Sequence, residues 1–336
     1  MRSDPDPFPD IFAGRRRRAL TLLIAAGVGQ GCAFAAVSIL MKAAFDNYAQ
    51  AASGAGASSM LIFGALVGCV VAAGVLKWIA QVEAERVGQS YAHALRVRLF
   101  RRLVEAGGSR QSRRGAVLLR LTSDMTPIRQ WVSLGLSQLI VSTLTIALAI
   151  GALAVVDWRI AAAVSAVLAL GAGASIILSR RLAQATASAR VSRGRLANAA
   201  GDTAANPAEG REGGKKARRK LRKLSRQVRD SLMERAYHAG AIRAIATSGG
   251  AMAGIVALWV GMAAPFGRPL SAGALMSALF ISGVLAPYAH DASRALEYWI
   301  AAKIAREKQL ELFRRLSKGE KITDDDAAAE ADIDAE

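Results

Sequence analysis

The reading of the fold turns on residues 131–178, Trp131 to Leu178: WVSLGLSQLIVSTLTIALAIGALAVVDWRIAAAVSAVLALGAGASIIL. The only charged residues in it are Asp157 and Arg159. A helix needs about 20 apolar residues to cross the hydrocarbon core of a bilayer, because every backbone group exposed to lipid must be hydrogen-bonded within its own segment. Trp131–Val156 and Ile160–Leu178 each meet that requirement, and Asp157-Trp158-Arg159 separates them. The stretch therefore predicts two membrane spans joined by a tight turn.

The same criterion, applied outward, gives Leu20–Phe45, Ser59–Ile79, Ile245–Met262 and Ala272–Tyr288 as further spans. With all six, both termini fall on one side. The predicted fold is all-α, a polytopic membrane protein with six transmembrane helices. Hydrophobic residues make up 53% of the 336 residues while the formal net charge is +18. Apolar runs alternate with Arg-rich stretches, as in a protein that separates lipid-facing from aqueous parts. That segregation argues against a soluble nucleic-acid binder, and no nucleic-acid partner is expected.

Cys32 and Cys69 lie inside apolar runs, where a thiol behaves as a small hydrophobe, so no disulfide is expected. They and His93, His238 and His290 match no metal-ligand spacing, and no metal site is expected. Residues 1–18, with Pro5, Pro7, Pro9 and the block Arg15 to Arg18, read as a basic N-terminus ahead of a retained first span rather than as a signal peptide.

Lys and Arg set the orientation, since cytoplasmic loops retain them. Asp46–Ser58 has neither, and the last connection carries only Arg268; the other side holds Arg15 to Arg18, Arg86 to Arg129 and Arg180 to Arg235. Both termini are thus expected in the cytoplasm of a cell with this chain in its inner membrane. The two cytoplasmic connections, Ala80–Gln130 and Ser179–Arg243, are too long for turns. Val87, Tyr91, Leu95, Leu99 and Leu103 recur every fourth residue in the first, and Leu221, Leu224, Val228 and Leu232 every three or four in the second. Both patterns predict amphipathic helices that continue the spans. About 55 residues of the second, folded as two antiparallel helices, would reach roughly 40 Å. At the first tip, Ser123 or Asp124 is a suitable N-cap and Pro127 a first-turn residue; the second, Gly201 to Gly214, reads as a loop with at most a short helix.

Six spans with two long helical excursions resemble the membrane domain of type I ABC exporters. Leu95-Arg96-Val97-Arg98-Leu99-Phe100-Arg101-Arg102-Leu103 is similar to that family's second-helix extension, and the segment from Gly115 through Leu118-Leu119-Arg120-Leu121-Thr122-Ser123-Asp124-Met125 to Arg129 is similar to its first coupling helix. Gly273-Ala274-Leu275, Pro287 and Arg294 to Leu316 resemble the sixth helix and its exit toward an ATPase. The resemblance implies a membrane domain over 19–316, ahead of an acidic tail at 317–336 that reads as disordered. It implies that Leu118, Leu119, Arg120, Leu121, Thr122, Ser123, Asp124 and Met125 dock on an ATP-binding subunit, as do Asp202 and Asn206 within the second coupling segment, roughly Asn198 to Gly210. There this chain has Asp202, Asn206, Pro207 and glycines where members usually carry an apolar helix.

No segment fits the P-loop pattern G-x-x-x-x-G-K-[ST], whose backbone N–H groups cradle phosphate. ATP and Mg are therefore expected on a separate ATP-binding subunit, unless the sequence is a truncated half-transporter. No catalytic constellation and no cofactor of the chain's own is expected. Arg15 to Arg18 reads as a topology anchor in contact with anionic membrane lipids, and Lys215 to Arg229 as a solvated basic face that could also grip an acidic partner. The glycine pairs Gly27/Gly31, Gly64/Gly68 and Gly250/Gly254 permit close helix approach, and Lys42 and Lys77 can snorkel to the interfaces. His290, Asp291 and Arg294, at the inner end of the sixth span, are a possible substrate pathway, and Phe34, Phe63, Met262 and Phe280 a possible cavity lining for lipids or amphiphilic drugs. The functional expectation is a permease subunit that dimerises with a second membrane subunit and moves a lipid, drug-like or peptide substrate. The alternative is a non-transporting membrane scaffold or regulatory subunit.

Overall fold

The computed structural model describes residues 8–9, 15–50, 56–105, 125–205, 214–263 and 270–317. Six long helices contain every predicted span: α1 (Arg15–Gln50), α2 (Gly56–Glu105), α3 (Met125–Val156), α4 (Trp158–Ala205), α5 (Gly214–Ala263) and α6 (Ala272–Ser317). There is no strand among the described residues. Each helix is long and apolar enough to cross a membrane.

The spans do not stop where the apolar runs stop. The 50 residues of α2 or of α5 rise about 75 Å, against the roughly 30 Å of hydrocarbon a span must cover. Helices α2, α4, α5 and α6 thus run on by about 40 Å on the arginine-rich side. Pro127 falls in the first turn of α3, where its missing N–H costs nothing. The second tip is tighter than the sequence suggests, because Gly201 to Ala205 complete α4 and α5 resumes at Gly214. The arginines from Arg15 form the first turn of α1 rather than a segment ahead of it.

Polar residues fix the ends on the opposite side. Asp157 alone separates α3 from α4, with extended backbone at φ −159° and ψ 119°. Its carboxylate accepts from the Arg159 backbone N–H at 2.8 Å and from the Arg159 guanidinium at 2.8 Å. That side-chain bond, more than any other influence, holds the Asp157 carboxyl below its ordinary value of 3.8. At the start of α6, Ser271 Oγ accepts from Ala274 N–H, while Asp46 near the end of α1 accepts from Gly273 N–H, each at 3.2 Å. These bonds satisfy first-turn donors that the helices cannot satisfy themselves.

Packing produces two cores that share α3 and α6. One joins Leu23 of α1, Val87 and Leu95 of α2, Val132 of α3 and Tyr288 of α6; the other joins Leu153, Val164, Ala257, Ile281 and Leu285 from α3 to α6. Two of the three glycine pairs serve close approach. A Cβ on Gly31 would fall 2.6 Å from Leu148 Cδ1, and one on Gly250 would fall 2.6 Å from Ala286 Cα. Gly64 and Gly68 have nothing within 4 Å.

Below the spans, polar bonds tie the extensions together. Arg243 of α5 and Glu297 of α6 form a two-pronged pair at 2.8 and 2.7 Å, with Glu297 only 8% exposed. Arg190 of α4 donates to the Ala301 carbonyl at 2.9 Å, Ser192 meets Ser231 at 3.0 Å, and Arg129 of α3 meets Glu85 of α2 at 3.0 Å. Leu182, Ile242 and Ile300 pack in the same region. Phe8, read from sequence only as part of a basic prefix, is buried there, with the Arg306 guanidinium 4.8 Å from its ring and Arg98 donating to its carbonyl at 3.1 Å.

Candidate functional site

Two cavities lie on opposite sides of α3 and α6. The first is a polar pocket of about 40 Å³ between α1, α2, α3 and α6, room for a water or a small polar group. Gln30 of α1 is wholly buried at its wall, and Tyr288 of α6 donates to its Oε1 at 2.6 Å. Gln30 Nε2 has no partner. Turning the amide over would only exchange the orphan atom, since Tyr288 offers one hydroxyl. A buried amide N–H left in this way costs about 1–3 kcal/mol. Gln138 Oε1 of α3 is a second buried polar atom on the pocket without a partner. The Lys77 ammonium of α2 lies 5.4 Å from the Tyr288 ring, and Asp291, one turn below Tyr288, completes the wall.

Local structure sets these groups. Trp131–Leu136 forms a π-helical turn inside α3, a wider turn common at functional sites. It brings Ser133, Leu134 and Ser137 to the pocket, with Ser137 Oγ donating to the Val132 carbonyl at 3.1 Å. Gly88 of α2 lies against this turn so closely that a Cβ would run into Ser133. In α6, Pro287 has no N–H, so the Gly283 carbonyl loses its helical donor just before Tyr288, a local weakness where a helix can bend.

The second cavity, about 610 Å³, lies among α3, α4, α5 and α6, walled by Trp131, Ile146, Leu168, Ile245, Leu296 and Trp299. Its serines turn their protons away: Ser175 donates to the Gly171 carbonyl at 2.8 Å and Ser293 to the His290 carbonyl at 2.7 Å. What remains is an aromatic and aliphatic surface suited to hydrocarbon.

The residues predicted from sequence are distributed unevenly over this geometry. Of the possible pathway residues, Asp291 lines the polar pocket. Arg294 donates to Tyr298 Oη at 2.6 Å, and His290 borders neither cavity. Phe34 and Phe280 do meet, with ring centroids 6.4 Å apart, but Phe63 and Met262 are 68% and 67% exposed on the outside of the bundle, so the four line no common cavity. Leu118, Leu119, Arg120, Leu121, Thr122, Ser123, Asp124 and Asn206 lie outside the described residues. Met125 opens α3 and is buried beside Ile128, and Asp202 falls in the last turn of α4. Lys77, read as a snorkelling residue, is exposed and also borders the pocket. Sequence reasoning missed Gln30, Gln138 and Tyr288; the available signal was a glutamine within each of two apolar spans, costly there without a partner.

A family model described as ABC transporter transmembrane region matches residues 20–206, more than half of the chain, from within α1 to the end of α4. The chain belongs to this family. It is a multi-pass membrane protein, and its six helices are those of an ABC transporter membrane subunit. A comparison with curated proteins gives no match. In this ABC transporter membrane domain the two cavities share α3 and α6, the helices to which the cross-tied extensions connect.

Proposed function

We propose that this membrane domain is the permease subunit of an ATP-driven exporter, working with a separately encoded ATP-binding subunit that carries ATP and Mg and with a second membrane subunit. Its termini face the cytoplasm of a cell whose inner membrane it spans, and its cargo is a lipid or drug-like amphiphile. The observation that carries the reading is the set of extensions about 40 Å long, bonded helix to helix by Arg243–Glu297, Arg190–Ala301 and Ser192–Ser231. A lever must be stiff to transmit displacement. Motion at the tips would pass through these ties into α6, where Pro287 offers a bend, and so into the walls of both cavities. The apolar cavity of about 610 Å³ supports an amphiphilic cargo better than a strongly polar one.

Affinity purification of the tagged full-length chain in mild detergent, with identification of co-purifying chains and an ATPase assay, tests the reading. The expected result is an ABC ATPase that is lost when Leu118 to Thr126 is scrambled. A chain recovered from native membranes without ATPase would sink the transporter reading in favour of a membrane scaffold.

A further inference from the structure

From Lys215 to Arg229, the cytoplasm-directed end of α5 carries nine lysines and arginines and no acid. All nine are exposed, and only Arg229, bonded to Asp230, has an ion-pair partner among the described residues. Like charges recur four residues apart, as in Lys215/Arg219, Arg218/Arg222, Arg219/Lys223 and Arg222/Arg226. The run also opens α5, where the helix's own dipole is positive. Both arrangements disfavour the helix unless negative charge covers them.

The run stands about 24 to 45 Å below Ile245, where the α5 span begins. That is two or more Debye lengths of about 8 Å from the lipid headgroups, so a membrane surface does not neutralise it. The complementary charge is in the chain itself. Residues 322–336, ITDDDAAAEADIDAE, hold seven acids and no base. They follow α6, which Glu297 clasps to Arg243 of α5, while α4 bonds to α6 through Arg190 and to α5 through Ser192. From Glu297, α6 runs on for about 30 Å to Ser317, a depth level with Lys223 when α5 is counted down equally from Arg243. Packed helix axes lie about 8–10 Å apart. The chain from Ser317 to Asp324 can span about 23 Å, enough to cross two such spacings.

We propose that the basic face of α5 is the docking surface for the chain's own acidic segment, residues 324–336. Seven negative charges then meet nine positive ones, which relieves the repulsion along the run and opposes the helix dipole. The tether makes the contact effective. At an effective concentration on the order of 1 mM, a contact with a Kd of about 0.1 mM is made in about nine molecules of ten. An acidic surface of any other chain must displace this segment before it can use the same face.

The proposal does not rest on transport, and its test uses the full-length chain alone in a non-ionic detergent. Lysines are acetylated with a limiting amine-reactive reagent, and the rates at Lys215, Lys216, Lys220 and Lys223 are read by mass spectrometry, with Lys303 as the internal reference. A full-length variant with Asp324→Asn, Asp325→Asn, Asp326→Asn, Glu330→Gln, Asp332→Asn, Asp334→Asn and Glu336→Gln should be labelled at the four lysines about ten-fold faster than the parent. About 0.5 M salt should erase that difference. The variant changes nothing in the helix bundle, so its thermal unfolding should stay that of a folded chain. Carbodiimide coupling of the parent should join the same lysines to residues 324–336 in a product of single-chain mass. Equal labelling of parent and variant would overturn the proposal. Coupled products of two-chain mass alone would overturn it in favour of a second copy, and protection that arises only on adding phosphatidylglycerol vesicles would overturn it in favour of lipid.

Discussion

Helices α2 and α6 are both spans, yet 6% of α2's most apolar window is buried within the protein against 44% of α6's, although α2's window is the more apolar. In a water-soluble fold the order would be reversed. Lipid tails are as apolar as leucine, so nothing drives Leu61 or Phe63 of α2 inward, and they are 78% and 68% exposed. The interior of α6 sets Ile281 and Leu285 among Ala274, Ser277, Ala278, Ser282 and Ala295, small residues that let backbones approach and hydroxyls bond. Ser38 of α1 and Ser277 of α6, 2.5 Å apart, are one such contact. Hydropathy therefore marks which helices span, while small and polar residues mark which helices form the centre.

The largest expected effect uses glycine. Gly250→Leu would drive a side chain into the Ala286 backbone of α6, whereas Gly68→Leu on α2 meets open space. Thermal unfolding in detergent should show a loss of about 3 kcal/mol or more for the first and a change within about 0.5 kcal/mol for the second. Equal losses would break the contrast between the helices.

Arg243→Met comes next. It leaves the nearly buried Glu297 carboxylate of α6 without its counter-charge, for an expected loss of about 2 kcal/mol, less than a fully buried pair because Arg243 is half exposed. The same loss should be absent when Glu297→Gln is already in place, which a double-mutant cycle would read. Smallest is Leu285→Ala, at a wholly buried α6 position, against Leu61→Ala on α2. Only the lost packing counts, since moving methyl groups between lipid and protein interior is nearly neutral, so about 1–2 kcal/mol is expected for Leu285 and almost nothing for Leu61. A sizeable loss for Leu61→Ala in the membrane, but not in detergent, would show that another protein surface covers α2 there.

The sequence by itself determined the six spans, the continuation of helices into long basic extensions and the turn at Asp157, because these follow from local requirements: twenty apolar residues, a period near 3.6 and a capping side chain. It also carried the resemblance to the ABC exporter membrane domain. Tertiary structure decided which apolar residues face one another and which face outward. Phe34 and Phe280 meet while Phe63 and Met262 do not, and no periodicity distinguishes them, because lipid and protein interior are equally apolar neighbours. It also decided the polar pocket. Gln30, Lys77, Gln138, Tyr288 and Asp291 are spread over four helices, and only the packing of those helices, with a π-turn in one and a proline in another, brings them around a single space.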